Sequence, residues 1–262
     1  MSDSPGAISS LLAGRKALIV GVANDKSIAW GCARAMRRAG ADIAMTYLNE
    51  RARPHVEPLA KELDAELFLP LEVRDPAQVD AVFAAIEKTW GKLDILVHSI
   101  AFAPREALAG RVVDCPRDGF LTAMEVSCWS FLDLVRRAEP MMTDGGTIFT
   151  MSYLGAGQVI ENYGIMGPVK AALESSVRYL ATELGPKGIR VHAISPGPLA
   201  TRAASGITDF DQLMDRVASR APARRLVTIE EVGATCAFLS SPYATAMTGE
   251  TLFIDGGYHI LG

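Results

Sequence analysis

The chain has 262 residues, of which 49% are hydrophobic and 21% charged, and its formal net charge is −4 at pH 7. This composition is typical of a globular protein and argues against a disordered chain. Acidic and basic residues are interspersed, so the sequence offers no extended basic surface for nucleic acid or for a membrane.

The N-terminal segment, the length of the apolar runs and the cysteine spacing argue against a secreted, a membrane-spanning and a zinc-binding protein. Residues 1–13 lack the basic region and the long apolar core of a signal peptide, and no apolar run approaches the roughly 20 residues of a spanning helix. The four cysteines lie far apart without a Cys-x-x-Cys pair, which argues against a zinc site or a disulfide framework. We therefore expect a cytoplasmic protein without a bound metal.

Short apolar runs rich in β-branched residues alternate with longer segments of helical periodicity. The predicted strands are residues 16–20, 42–47, 66–73, 93–98, 146–151, 190–195 and 251–255. The predicted helices include residues 27–40, 50–63, 79–90, 124–141 and 169–184. Near-continuous apolar strands separated by helices predict an α/β fold, a doubly wound seven-stranded parallel sheet covered on both faces. No linker or repeat divides the chain, so we expect a single domain spanning residues 1–262.

The turn after the first strand has features of a phosphate-binding turn. Gly21 permits a tight turn, and Ser27 is placed to cap the following helix and to donate a hydrogen bond to a phosphate oxygen. Because the pattern Gly-x-Gly-x-x-Gly is absent, the turn taken alone fits a strand–helix connection without a ligand equally well.

Other predicted strand ends strengthen the case, because ligands of open parallel sheets bind at the carboxyl ends of the strands. Glu72 and Val73 follow the third strand, where a carboxylate and an amide can read an adenine edge. The small residues of 99–101 allow close approach of a ribose, and the rigid Pro- and Gly-containing loop 195–201 can hold a nicotinamide carboxamide. His98 is assigned no catalytic role, because a strand histidine is more often packed in the core.

The residues after the second strand favour NADH over NADPH. A 2′-phosphate requires an Arg or Lys just past that strand, whereas this chain has Leu48 and Asn49, followed by Glu50, which would repel a phosphate. Arg51 is near enough in sequence to keep NADPH as an alternative.

Tyr163 and Lys170 form the strongest candidate for a catalytic pair. A phenol and an ammonium at the start of an amphipathic helix suggest a donor that meets a developing oxyanion and a cation that holds a cofactor sugar. Six residues separate the two, where ordinary short-chain dehydrogenases have three, and a second tyrosine, Tyr153, lies ten residues upstream of Tyr163.

These motifs, in their order and spacing, resemble those of the NADH-dependent enoyl-acyl-carrier-protein reductases of bacterial fatty-acid synthesis, a divergent group within the short-chain dehydrogenase/reductase fold. The resemblance covers residues 12–257. The motifs that carry it are Gly21-x5-Ser27-Ile28-Ala29-x-Gly31, His98-Ser-Ile-Ala-Phe-Ala103, Ser152-Tyr-Leu-Gly155, Asn162-Tyr163-x6-Lys170 and Thr201-Arg-Ala-Ala-Ser-Gly-Ile207.

The resemblance implies reduction of the 2,3 double bond of a trans-2-enoyl thioester on acyl carrier protein, the last step of the elongation cycle, by a homotetramer. It implies that Tyr163 donates to the thioester oxygen, that Lys170 holds the nicotinamide ribose, and that Tyr153 lies near the acyl chain or the proton-delivery route. The implied cofactor-binding residues are Gly21, Ser27, Ile28, Leu48, Glu72, Val73, Ser99, Ile100, Ala101, Lys170, Leu199, Ala200, Thr201, Arg202 and Ala203. The implied substrate-binding residues are Ala103, Tyr153, Tyr163, Ile207 and Phe210, the last two in a lid at about residues 200–221.

Three positions depart from the family pattern. Glu72 replaces the common aspartate, Ala101 stands where glycine is frequent, and Pro168 is tolerable only in the first turn of a helix. Two other functions stay open: a ketone or β-ketoacyl reductase of the same fold, and a dinucleotide-binding protein without catalysis.

Overall fold

A computed structural model describes residues 10–108, 110–201 and 210–261 of the protein. Seven strands form one parallel sheet in the order β3-β2-β1-β4-β5-β6-β7. The strands are β1 Lys16–Val20, β2 Asp42–Tyr47, β3 Leu67–Pro70, β4 Ile95–His98, β5 Gly146–Met151, β6 Ile189–Pro196 and β7 Thr251–Ile254. The predicted doubly wound α/β fold is confirmed.

Helices cover both faces of the sheet. In the described residues they are α1 Ile28–Arg38, α2 Arg53–Glu62, α3 Pro76–Trp90, α4 Arg105–Leu108, α5 Arg117–Met124, α6 Ser130–Ala138, α7 Met166–Leu184, α8 Phe210–Arg220 and α9 Ile229–Ser240. A π turn, Glu125–Trp129, joins α5 to α6, so the helix predicted at 124–141 begins earlier and is continuous through that turn.

The third strand is shorter than its predicted range of 66–73. Its ladder runs to Pro70, and one further backbone hydrogen bond joins the Leu71 amide to the Tyr47 carbonyl at 2.8 Å. The side-chain carbonyl of Gln78 then accepts from the Glu72 amide at 3.0 Å. This bond turns the chain toward α3, so Glu72 and Val73 lie in the turn beyond the strand.

Successive residues of each strand point into two separate cores. In β1, Leu18 and Val20 pack into one hydrophobic cluster and Ile19 into the other, and all three are buried. Burial on both faces explains why the strands are apolar without alternation. Among the described residues, no helix combines the length and hydropathy needed to cross a membrane.

The sheet order places a topological switch point at β1. The chain crosses from β1 to β2 on one side and later from β3 to β4 on the other. In such sheets the crevice at the carboxyl ends of the two central strands is the usual position of a ligand. The ends of β1 and β4 therefore define the region in which the candidate site residues should be sought.

Candidate active site

The ends of β1 and β4 are in direct backbone contact at Gly21. Gly21 has a φ of +107°, a conformation that favours glycine. A Cβ added there would lie 2.1 Å from the Ser99 carbonyl oxygen. Both constraints require glycine, and they bring two predicted cofactor residues, Gly21 and Ser99, together.

Ser27 occupies the N-cap position of α1, but its hydroxyl does not cap the helix as predicted. The Ser27 Oγ instead accepts hydrogen bonds from the backbone amides of Ala23 at 3.0 Å and Asn24 at 3.1 Å. The hydroxyl points toward the preceding turn and not toward the helix, because the backbone amides of that turn need hydrogen-bond acceptors. Ile28, the next predicted residue, begins α1 and packs partly buried against the core.

The predicted adenine contacts lie beyond the neighbouring strands β2 and β3. Leu48 follows β2 directly and is half exposed. The Glu72 carboxylate accepts from the Arg74 amide at 3.1 Å and from its guanidinium Nε at 3.4 Å. Because Arg74 already binds the Glu72 carboxylate, this carboxylate could contact an adenine edge only by sharing its oxygens between Arg74 and the adenine.

The two predicted catalytic tyrosines lie against each other. The ring centroids of Tyr153 and Tyr163 are 4.9 Å apart, with an interplanar angle of 62°. Tyr163 is 9% exposed, and a Cβ added at Gly155 would lie 2.4 Å from its Cδ1 atom. The glycine of the Ser-Tyr-Leu-Gly motif therefore provides the space that the Tyr163 ring occupies.

Both phenols stay protonated at neutral pH. Burial, together with the nearby Tyr153 and Glu174, raises the pKa of Tyr163 far above its usual range. Burial and the neighbouring Tyr258 raise the pKa of Tyr153 to about 12. Each hydroxyl is thus able to donate a hydrogen bond to developing negative charge.

Lys170 lies in the first turns of α7 and is only 3% exposed. The helical pattern did not require this burial, because Lys170 is one position away from the apolar stripe. Its Nζ donates to the Met151 carbonyl at 2.6 Å, at the end of β5. Burial lowers the pKa of Lys170 to about 8, while Cys128 and Glu174 act in the opposite direction. Pro168 is the third residue of α7, within the first turn, where its missing amide is tolerated.

Ser152 and Glu174, two residues without a predicted role, lie next to the bond between Lys170 and Met151. The hydroxyl of Ser152 donates to the Glu174 Oε1 atom at 2.5 Å. Glu174 is four positions after Lys170 on α7, so the helical period puts both on one face. That spacing was the available signal.

His98, the last residue of β4, is packed in the core. Its Nε2 lies 2.8 Å from the Ser130 hydroxyl, which itself donates to the Val126 carbonyl, and its Nδ1 lies 2.9 Å from the Thr150 hydroxyl. The imidazole therefore donates from Nε2 and accepts at Nδ1. Burial and the charge of Lys170 lower the pKa of His98 to about 3, so the ring is neutral.

The remaining predicted residues are partly described. Ala103 is buried, whereas Ala101 is exposed and Ile100 is partly buried, in the segment that follows β4. Leu199 and Thr201 are partly buried and Ala200 is exposed in the loop after β6, and Phe210 begins α8. Arg202, Ala203 and Ile207 lie outside the described residues. No group of three or more potential ligand side chains that could hold a metal ion occurs in the described ranges.

Comparison with known proteins identifies the family. The model of the family described as enoyl-(acyl carrier protein) reductase matches residues 21–259. The protein belongs to this enoyl reductase family.

Relatives agree over almost the full length. The chain is 48% identical over 254 residues to the enoyl-[acyl-carrier-protein] reductase [NADH] 1 of Rhizobium meliloti, a match that covers 97% of this chain and 93% of the relative. A crystal structure of the Bacillus cereus reductase with NADP+ and an indole naphthyridinone has a TM-score of 0.94 and 46% identity, covering 96% of this chain and 99% of that one. The Anaplasma phagocytophilum reductase in complex with NAD has a TM-score of 0.92 and 46% identity, and the match covers 96% of both chains.

A nicotinamide cofactor of the enoyl reductase family fits the residues that are present. Within the described chain, Nζ of Lys170 has one hydrogen-bond acceptor, the Met151 carbonyl, although an ammonium carries three N–H donors. A buried cation with further N–H donors suits a ribose with two hydroxyl groups.

Proposed function

We propose that the protein is an enoyl-[acyl-carrier-protein] reductase that uses NADH to reduce the 2,3 double bond of trans-2-enoyl thioesters. The single observation that carries this proposal is the contact between the rings of Tyr153 and Tyr163, close in the chain to the Met151 carbonyl that the buried Lys170 ammonium binds at the carboxyl end of β5. Relatives named as NADH-dependent enoyl-[acyl-carrier-protein] reductases at 48% and 46% identity support both the substrate class and the nucleotide.

The chemistry assigns a distinct part to each residue of this grouping. NADH, when bound, supplies a hydride to the β-carbon of the enoyl thioester, and negative charge develops on the thioester oxygen. Tyr163 donates a hydrogen bond to that oxygen, and a preorganised donor of this kind is commonly worth about 3–4 kcal/mol in the transition state. Lys170, held by the Met151 carbonyl, directs its remaining N–H groups to the ribose hydroxyls, and its charge stabilises the enolate.

Tyr153 is proposed to contact the acyl chain or to lie on the route by which a proton reaches the enolate. Its ring is the edge-to-face neighbour of Tyr163, and its pKa of about 12 keeps it a donor at neutral pH. Both roles fit this position, and Tyr153→Phe separates them, because the acyl contact survives the loss of the hydroxyl whereas proton delivery does not.

We assign the cofactor to the carboxyl edge of the sheet. The proposed contacts are Gly21, Ser27, Ile28, Leu48, Glu72, Val73, Ser99, Ile100, Ala101, Lys170, Leu199, Ala200, Thr201, Arg202 and Ala203. Glu50 supports NADH over NADPH. The Tyr47 hydroxyl donates to the Glu50 carboxylate at 3.2 Å and so keeps this carboxylate beside the end of β2, where it would repel a 2′-phosphate. The relative whose structure contains NADP+ keeps NADPH as the alternative cofactor.

The acyl chain is proposed to lie under a lid at about residues 200–221 of the single domain. Helix α8 supports this assignment, because Phe210 begins it and Val217 is its buried anchor. Ala103, Tyr153, Tyr163, Ile207 and Phe210 would line the acyl site. Trypsin cleavage at Arg216 or Arg220 with and without NADH and an acyl analogue would test the lid, since closure protects these bonds.

The proposed partners are acyl carrier protein and further copies of this chain. Large apolar side chains are exposed on helical elements, at Trp129 of the π turn and Tyr179 of α7, and near the C-terminal strand, at Phe253 and Ile260. Two apolar surfaces suit a homotetramer with two kinds of two-fold interface, and sedimentation equilibrium would count the subunits. We place the protein in the cytoplasm, where NADH and carrier-linked acyl chains are both available.

A substrate panel at fixed enzyme and NADH tests the function. Oxidation of NADH with crotonyl or longer enoyl thioesters, and none with acetoacetyl thioesters, is the expected result. The reverse pattern would make the protein a ketone or β-ketoacyl reductase. Binding of NADH without turnover of either class would make it a dinucleotide-binding protein.

A further inference from the structure

The carboxyl end of β5 is held by two residues of α7 that lie one helical turn apart. Nζ of Lys170 donates to the carbonyl of Met151 at 2.6 Å. The hydroxyl of Ser152, the next residue, donates to Oε1 of Glu174 at 2.5 Å. Tyr153 follows directly, so these two bonds fix the backbone from which its side chain extends.

The bond between Ser152 and Glu174 is placed to be strong. Ser152 is buried and Glu174 is partly buried, so water has limited access to either group. A hydroxyl that donates to a carboxylate makes a charge-assisted bond, roughly twice as strong as one between neutral groups. Because a serine hydroxyl has a single hydrogen, its rotamer is set by Glu174.

We propose that Glu174 is a positioning residue for the reaction. It orients Ser152, and with it the backbone that carries Tyr153, and it places a negative charge beside the Lys170 ammonium. The inference deepens the proposed function, because it rests on the roles given there to Tyr153 and Lys170.

The groups that face Lys170 from the packed elements leave Glu174 as the counter-charge. His98 of β4 is neutral, because burial and Lys170 lower its pKa to about 3. Cys128 of the π turn is a thiol whose pKa is raised by burial, and Tyr163 is a protonated phenol for the same reason. Among the described groups that act on the pKa of Lys170, Glu174 is therefore the one carboxyl group.

The charge of Glu174 has a consequence that depends on pH. Burial lowers the pKa of Lys170 to about 8, and Glu174 opposes that effect. Loss of the carboxylate charge would lower this pKa further, so the ammonium would be lost at a lower pH. Affinity for NADH, which we assign to the ammonium, would then fall at a lower pH than in the wild-type protein.

Two variants and a matched control test the proposal. Glu174→Gln keeps an oxygen that can accept from Ser152 but removes the charge. Ser152→Ala removes the hydrogen bond and keeps the charge. Glu183→Gln, an exposed position on the same helix, controls for the loss of a carboxylate from α7. The dissociation constant of NADH is measured by nucleotide fluorescence from about pH 6 to pH 9.5, a range that spans the titration of a lysine lowered to about 8.

In Glu174→Gln the pH at which affinity is half lost should move down by about one unit, a shift typical of removing a neighbouring charge. Ser152→Ala should leave that pH unchanged and lower kcat with enoyl thioester several-fold, because Tyr153 loses its fixed backbone. Glu183→Gln should match the wild type in both measurements.

A wild-type midpoint in Glu174→Gln would overturn the proposal, as would an equal loss of affinity at every pH, which would indicate a purely structural role. Full kcat in Ser152→Ala would remove the claim about Tyr153. Failure of the proposed function can be distinguished from failure of this proposal. If the wild-type protein binds NADH but does not reduce enoyl thioesters, the pH at which its affinity for NADH is half lost can still be measured.

Discussion

Tyr153 and Tyr163 meet edge to face, with ring centroids 4.9 Å apart, and neither phenol ionises near neutral pH. Such an arrangement is worth about 0.5–1.5 kcal/mol beyond the burial of the rings. The pair therefore orients the Tyr163 hydroxyl before substrate arrives, which is the condition for efficient stabilisation of an oxyanion.

Tyr163→Phe should lower kcat with enoyl thioesters by roughly 10²- to 10³-fold, the usual cost of one lost oxyanion donor. The ring and its contact with Tyr153 are kept, so the dissociation constant of NADH should stay within about twofold of the wild-type value. Steady-state kinetics and nucleotide fluorescence measure the two quantities. Tyr243→Phe, an exposed tyrosine that follows α9, is the control and should have wild-type kinetics. Undiminished kcat in Tyr163→Phe would remove this residue from the chemistry.

Gly155→Ala tests whether the Tyr163 ring must lie where the structure places it. The added Cβ would be 2.4 Å from Cδ1 and 2.7 Å from Cε1, so the ring must shift. A misplacement of about 1 Å at a reacting group can cost about 10²-fold in rate, and we expect a loss of kcat of at least about tenfold. At Gly157 an added Cβ has no atom within 4 Å, so Gly157→Ala is the matched control. Equal kcat for the two variants would contradict the described packing.

Lys170→Met should change how stability depends on pH. The pKa of Lys170 is about 8 in the folded protein and about 10.5 in the unfolded chain, so between these values the unfolded state binds more protons. This lysine therefore destabilises the fold below about pH 8, and its penalty is relieved as pH rises toward 10.5.

The Lys170→Met variant lacks this penalty, so it should unfold at a higher urea concentration than the wild type at pH 7, and the difference should narrow by pH 9.5. The same variant should bind NADH much more weakly at pH 7. Urea titrations at the two pH values and nucleotide fluorescence provide the measurements. A difference in stability independent of pH would mean that burial does not lower the pKa of Lys170 below its value in the unfolded chain.

Much of the fold was accessible from sequence because local patterns determine it. Strands β1, β2 and β5 have the predicted bounds, since each is a mainly apolar run with a glycine within two residues of one end. The third strand ends before Glu72 because the Glu72 amide donates to the side chain of Gln78, six residues further on, and no longer to β2. The apolar pattern of the strand does not show this side-chain contact.

The geometry within the site was less accessible. The spacing from Tyr163 to Lys170 made the pair a candidate, but the helical stripe did not predict that Lys170 is buried. That burial follows from the carbonyl of Met151, which only the folded sheet brings near. The sequence predicts that the hydroxyl of Ser27 caps α1, yet this hydroxyl accepts from the amides of Ala23 and Asn24. A serine at this position can accept either from the helix amides or from the amides of the preceding turn, and the sequence does not distinguish the two. The sequence did not indicate a role for Glu174, because the role that we propose depends on the hydrogen bond from Ser152, a residue of a different element.

The crossing of α1 and α9 should be as sensitive to a methyl group as the catalytic site. A Cβ added at Gly233 would lie 2.2 Å from the Gly31 carbonyl oxygen and 3.0 Å from the Cys32 amide nitrogen, both of them backbone atoms of α1. Overpacking of this kind typically costs about 1–3 kcal/mol, and we expect Gly233→Ala to lower the free energy of unfolding by that amount. Because α1 begins at the cofactor turn, its displacement should also weaken NADH binding while leaving the pH midpoint of that binding in place. Gly185→Ala, where the added Cβ has no atom within 4 Å, is the control for a glycine-to-alanine change. Denaturant unfolding at neutral pH compares the two, and a Gly233→Ala protein as stable as the control would show that the helices have room to separate.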